Sequence, residues 1–306
     1  MSLTVNRGEF ALDQSATADG APIATTLRVA RRAAMMRWLL IGAAALLAAI
    51  VVALGVSKLA IRHERLPLFD VTRGRSVPVD LYVRRDKEMK AWAGLGALPV
   101  AIVNHGNTVS SGEYSFIADM LAARGYLVAS VQHDLPTDPP ISMTGYPYVG
   151  RLPAYERGAA NIDFVIAALR KSYPIADYDH LLLVGHSNGG DISVFYAAAH
   201  PDTVAKVVTL DNLRVPLEFV RSRLLSFRSK GGAFKPDPGV VPDAAERAND
   251  GIDVVMTGAP HTELSDRGPE ELKERISREL SEFLDQEKPT PKRPPVTLQY
   301  APGAPY

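Results

Sequence analysis

The chain has 306 residues, and its 34 Lys plus Arg balance 34 Asp plus Glu, so the formal net charge is zero and gives no electrostatic reason to expect nucleic acid. It contains no cysteine, which excludes disulfides, thiolate zinc sites and a cysteine nucleophile. The 46% hydrophobic content is enough for a sizeable core.

Residues 1–37 read as a polar arm in which Arg28, Arg31, Arg32 and Arg37 gather toward the end. From Trp38 to Val56 the sequence (WLLIGAAALLAAIVVALGV) carries no charge, and its length is near the roughly 20 residues that cross a bilayer as a helix. A core helix of a soluble domain usually keeps a polar face, and this stretch has none. The expectation is a transmembrane helix or signal anchor over residues 38–57. The arginines before it favour a cytoplasmic N-terminus, hence a single-pass membrane protein with the following domain outside the cytoplasm. Lys58, Arg62 and Arg65 reduce that asymmetry. The alternative is a cleaved signal peptide beginning at Met35 or Met36, with Ala53-Leu54-Gly55 as its small-residue site and a secreted product.

Residues 66–286 read as one domain. Phe69–Arg73 and Val77–Val83 suggest an antiparallel hairpin bounded by Gly74. Leu98–Val103 is a continuous apolar run, the pattern of a strand buried on both faces of a parallel sheet. Helical spacing follows over Glu113–Ala123, then a strand at Tyr126–Val131. Leu135–Pro153, rich in Pro, Gly and Tyr, predicts a surface loop, and Tyr155–Leu169 a helix. A strand at His180–Gly185, a helix at Gly190–Ala199 and strands at Val204–Leu210, Leu224–Phe227 and Ile252–Met256 come next. An amphipathic helix at Glu270–Leu284 closes the domain. Strands separated by helices imply a mostly parallel sheet covered on both faces. The Pro-rich tail over 287–306 predicts disorder.

Gly185-His186-Ser187-Asn188-Gly189 fits G-x-S-x-G between an apolar strand and a periodic helix, the context in which that motif makes a sharp turn presenting the serine hydroxyl. Ser187 is therefore the candidate nucleophile, and it needs a base. In the α/β-hydrolase fold, which this elbow resembles, the acid and then the base follow the serine along the chain. Five of the seven histidines precede Ser187, and His200 ends the helix after the turn, which leaves His261, just past the final strand. For the acid, Asp237 in Asp237-Pro238-Gly239-Val240-Val241-Pro242 is preferred, and Asp211, directly after Val204–Leu210, is the alternative. The oxyanion hole needs two amides: Asn188 supplies one, and Asn107 or Gly106, in the loop after Leu98–Val103, the other. Tyr146, Tyr148 and Tyr155 are candidates for lining an acyl pocket, against the reading that they pack structurally. Asp191 suits a helix N-terminus, and Arg221, Arg223, Arg228 and Lys230 read as a solvated basic patch.

Taken together, His105-Gly106, the G-H-S-N-G-G-D run at 185–191, the D-P-G-V-V-P run at 237–242 and His261 resemble the α/β-hydrolase superfamily over roughly Val77–Leu284. The D-P-G-V-V-P run is similar to the acid-bearing D-x-x-V-P turn of dienelactone-hydrolase-like and esterase members, but one residue longer, which keeps Asp211 in contention. The resemblance implies an α/β-hydrolase fold and hydrolysis of an ester, thioester or amide through an acyl-enzyme, with no metal or organic cofactor. The expected partners are a small-molecule or lipid ester substrate and a membrane, with no nucleic acid. An acyltransferase using the same triad, and a non-catalytic membrane-tethered binding protein on the same fold, are the competing readings.

Overall fold

The computed structural model describes residues 21–142 and 147–286; the expectations for most of the N-terminal arm, for the tail and for Tyr146 lie outside them. The chain divides into two compact units, Met1–Lys58 and Leu59–Tyr306.

In the first unit, helix α1 (Ala21–Leu59) is longer than the expected apolar span. Its Ala34–Val52 window has mean hydropathy 2.2 and no buried residue. By length and composition it can cross a membrane or serve as a signal sequence.

The second unit is built on an eight-stranded sheet in the order β1-β2-β4-β3-β5-β6-β7-β8. Strands β1 (Ile61–Asp70) and β2 (Arg75–Arg84) form an antiparallel hairpin from Ile61 opposite Arg84 to Asp70 opposite Arg75. The first strand thus ends where the sequence suggested it would begin. The Asp70 carboxylate accepts the amides of Thr72 and Arg73, and this side-chain turn reverses the chain before Arg73. Helix α2 (Arg85–Trp92) follows, then β3 (Leu98–Asn104), a 3-10 turn at Ser111–Tyr114, α3 (Ser115–Ala123) and β4 (Leu127–Val131).

Helix α4 (Pro147–Ser172) begins inside the segment expected to be a loop. Pro153 suggested a break, because proline removes one intrahelical donor. Here Leu152, Ala154 and Tyr155 all pack inward around it, and that burial offsets the lost bond. Strand β5 (Ala176–His186), α5 (Asn188–Ala199), β6 (Val204–Leu210), β7 (Arg223–Arg228), α6 (Ala244–Asp250), β8 (Ile252–Met256) and α7 (Glu270–Asp285) complete the domain.

Strands β3 to β8 are parallel, and β2 joins β4 antiparallel. Alternate residues of β3 serve two cores, as the period of two demands. Val100 and Ile102 join Tyr155, Ile162, Leu169 and Ile192 of α4 and α5, while Ala101 and Val103 join Ile117, Leu121, Ile276 and Leu280 of α3 and α7. Helices on both faces leave only the strand ends open, and the loops leaving the C-terminal ends of β3, β5, β6 and β8 carry the candidate site.

Candidate active site

Strand β5 stops at His186 and α5 starts at Asn188, so Ser187 alone makes the turn, with φ 52° and ψ −120°. Among the described residues only three non-glycines have positive φ: Thr108, Ser187 and Asp211. They stand after β3, β5 and β6, and strained backbone gathered in this way marks a site held in place by its surroundings.

The glycines flanking the serine are required by close approach. A Cβ on Gly189 would lie 2.2 Å from the Asn104 carbonyl oxygen, and one on Gly185 would lie 2.2 Å from that of Gly189. Both neighbours are backbone and cannot swing aside. Gly189→Ala should therefore destabilise the fold by about 1–3 kcal/mol through overpacking. Urea unfolding measures this directly.

His261 sits buried in a 3-10 turn after β8. Its Nδ1 donates to Asp211 Oδ2 at 2.7 Å, which leaves the lone pair on Nε2. Asp211 is almost wholly buried, and its Oδ1 accepts the Ser229 amide and lies 3.1 Å from Arg228 Nη2. Burial pushes its carboxyl up, but the His261 hydrogen bond, the Arg228 guanidinium and the Ser229 amide outweigh it, holding the group below its ordinary value.

The structure does not bring Asp237, the preferred candidate, to His261. Asp237 pairs with Arg214, whereas Asp211 holds the imidazole. The basic patch is corrected. Arg228 is buried behind Asp211, also donating to the Asn212 backbone and side-chain oxygens, and Arg223 is buried over the Phe283 ring.

The loop after β3 is fixed by histidines. His105 Nδ1 donates to the Gly106 carbonyl oxygen at 2.7 Å, and the Val109 amide donates to the same oxygen at 3.1 Å. In a trans peptide the N–H opposes the C=O, so two bonds on that oxygen set the direction of the Asn107 amide. The Gly106 amide is already committed to the Tyr114 hydroxyl at 3.0 Å, which removes Gly106 from the candidate oxyanion donors. Tyr114 in turn donates to His186 Nδ1 at 2.7 Å, and His186 Nε2 donates to the His261 carbonyl at 3.0 Å. One chain of hydrogen bonds thus joins the β3 loop, the residue before Ser187 and the backbone of His261. Asn188, the first residue of α5, has a backbone amide without an intrahelical acceptor, as any helix start does.

Asp191 does more than complement a helix dipole. It is fully buried and its Oδ1 accepts the amides of Leu213, Arg214 and Val215, which shapes the loop after Asp211. Burial pushes its carboxyl up to about 6.

Ser187, Asn188 and His261 line a cavity of about 280 Å³, together with Asn107, Ile141 and Phe234. Phe234 stacks on the His261 ring with centroids 4.4 Å apart. Arg151, Arg214 and Arg267 also line it, and among the described residues no Asp or Glu does. Of the two tyrosine candidates among the described residues, Tyr155 is a core residue and Tyr148 packs beside it with ring centroids 5.8 Å apart. The segment after β4 reaches the cavity through Ile141 and Arg151 instead. Phe234 was not among the sequence candidates; a lone aromatic between Gly232 and Lys235 gives no periodic signal.

Among solved structures, the chain is similar to a protein assigned as a dienelactone hydrolase from Klebsiella pneumoniae subsp. pneumoniae MGH 78578. The TM-score is 0.52 at 19% identity, over 74% of this chain and all of that one. It is also similar to a predicted CIB-like hydrolase from Thermoplasma acidophilum, with TM-score 0.48 at 18% identity over 74% of this chain and 98% of that one. No protein-family model and no curated protein matches the sequence. The sheet order and the Klebsiella likeness give the chain the α/β-hydrolase fold.

Proposed function

We propose that this protein is a serine hydrolase that cleaves a small carboxylic ester through an acyl-enzyme. The observation that carries the reading is the buried 2.7 Å bond from His261 Nδ1 to Asp211, with His261 and Ser187 lining one cavity. Ser187 Oγ attacks the acyl carbon while His261 Nε2 takes its proton, and the imidazolium then protonates the departing alcohol. Water attacks the acyl-enzyme with His261 again as base, and the carboxylic acid leaves as Ser187 regains its proton. Asp211 holds the imidazole tautomer and stabilises its cation. The Asn188 and Asn107 amides receive the negative charge on the acyl oxygen.

A cavity of about 280 Å³ supports short acyl groups over long alkyl chains. Helix α1 supports a membrane-anchored enzyme, since its apolar window has no polar face to place in water. With p-nitrophenyl esters of graded length, kcat/KM should be highest for the shortest acyl chains. Ser187→Ala should lower kcat at least about 10⁴-fold on the best of them. Equal rates for acetate and long-chain esters would contradict the small-substrate reading, and an active Ser187→Ala the mechanism.

A further inference from the structure

The chain joins its second unit at a single corner. Leu59 and Ala60 lead into β1, and the Ala60 carbonyl accepts the Arg85 amide at 2.8 Å, so α2 begins beside the start of β1. Helix α2 and the loop after it are unusual on this domain. Met89, Trp92 and Leu95 are 66%, 52% and 74% exposed, and the stretch from Met89 to Ala97 has only Ala91 buried and contains no acid. Met89 and Trp92 are three residues apart, so they share a helix face. Lys87 and Lys90 line the same hollow as Leu95. The two acids of α2 are engaged, Asp86 with Arg84 and Glu88 with Arg62, and Arg85, Lys87 and Lys90 leave its surface basic.

The geometry points to this patch as a docking surface for an anionic lipid bilayer, in which Met89, Trp92 and Leu95 enter the headgroup region and Lys87 and Lys90 meet the phosphates. The inference rests on reading α1 as a membrane anchor. Leu59 follows Val52, where the apolar window closes, by seven residues, about 10 Å of helix. That tether keeps the α2 corner close to the membrane surface. An amphipathic aromatic flanked by lysines is the composition that partitions to such an interface.

Docking there has a consequence for the site. Helix α2 precedes β3, whereas the loop carrying Asn107 follows it, so patch and cavity stand at opposite ends of that strand, roughly 20 Å apart. The cavity then opens away from the bilayer, toward esters dissolved in water.

The chain has two tryptophans, Trp38 in α1 and Trp92 in α2, and they report separately on anchor and patch. The full-length Trp38→Phe and Trp92→Phe variants would be reconstituted in vesicles of phosphatidylcholine and phosphatidylglycerol. Some of the acyl chains would be brominated near the headgroup. With Trp92 alone, emission should shift to the blue of its position in water and fall about twofold with the brominated lipid. The effect should be weaker in phosphatidylcholine alone. Quenching of Trp38 together with water-like, unquenched Trp92 emission would overturn the docking surface and leave the anchor standing. No quenching of either would overturn the anchor, and the docking surface with it.

Discussion

Asp211→Asn should lower kcat about 10⁴-fold, while Asp237→Asn should stay within about threefold of the parent enzyme. An asparagine at 211 offers an N–H toward His261 Nδ1, which drives the imidazole proton onto Nε2 and leaves no lone pair facing Ser187. Losing the carboxylate also strands the buried Arg228 guanidinium, which should lower stability by about 3–5 kcal/mol. Rates must therefore be referred to folded protein, measured by denaturant titration alongside. Asp237 is partly exposed and paired with Arg214, so its loss removes a near-surface ion pair worth about 1 kcal/mol or less. A large kcat loss in Asp237→Asn with little in Asp211→Asn would reverse the assignment.

Stability should fall as the pH drops below 6.5. His186 is held neutral at about 3, chiefly by burial and then by the His261 charge. Burial likewise holds His133 well below, and His105 below, the usual histidine value of 6.5. Each folded-state value is depressed, so each histidine takes up a proton on unfolding once the pH is under 6.5. Each then removes up to about 1.4 kcal/mol per pH unit until its folded-state value is reached. Asp191 acts in the opposite sense. Its carboxyl is raised to about 6, so between 6 and the ordinary 3.8 the folded protein holds a proton that the unfolded chain lacks. Near pH 5 the uptake by His186 and the release by Asp191 nearly cancel, and His133 and His105 tip the balance toward uptake on unfolding. Asp211, held low, adds its own loss only as the pH passes below 3.8. Urea midpoints between pH 4 and 8 measure this directly. A flat profile below 6.5 would mean that these histidines are not buried neutral.

The elbow was legible because its constraint is local. A serine that must turn alone between a strand and a helix needs glycines at 185 and 189, and the sequence carries them where the apolar run stops. His261 was legible through its position after the last strand. The carboxylate that holds it was not, because two carboxylates follow Ser187 in suitable loops and only folding decides between them. Arg214 captures Asp237, while Asp211 takes a left-handed backbone turn, φ 58°, that no short pattern announces in a non-glycine residue.

Burial accounts for other differences. Every residue of β7 is buried, including Arg223 and Arg228, because its arginines find partners inside; charge alone suggested a solvated patch. Helix α2 escaped notice since Ala91 is its one buried residue and its sequence lacks an apolar stripe. The Gly106 amide looked available until Tyr114, eight residues on, was seen to occupy it.

The central claim is that Ser187 is a nucleophile activated by His261. It is tested most directly by treating the full-length protein with a fluorophosphonate and measuring intact mass and the labelled peptide. One adduct on Ser187 is expected, absent in Ser187→Ala and slowed at least about 10³-fold in His261→Ala. An adduct that persists in Ser187→Ala, or parent protein that stays unlabelled under conditions that label a known serine esterase, would contradict the account.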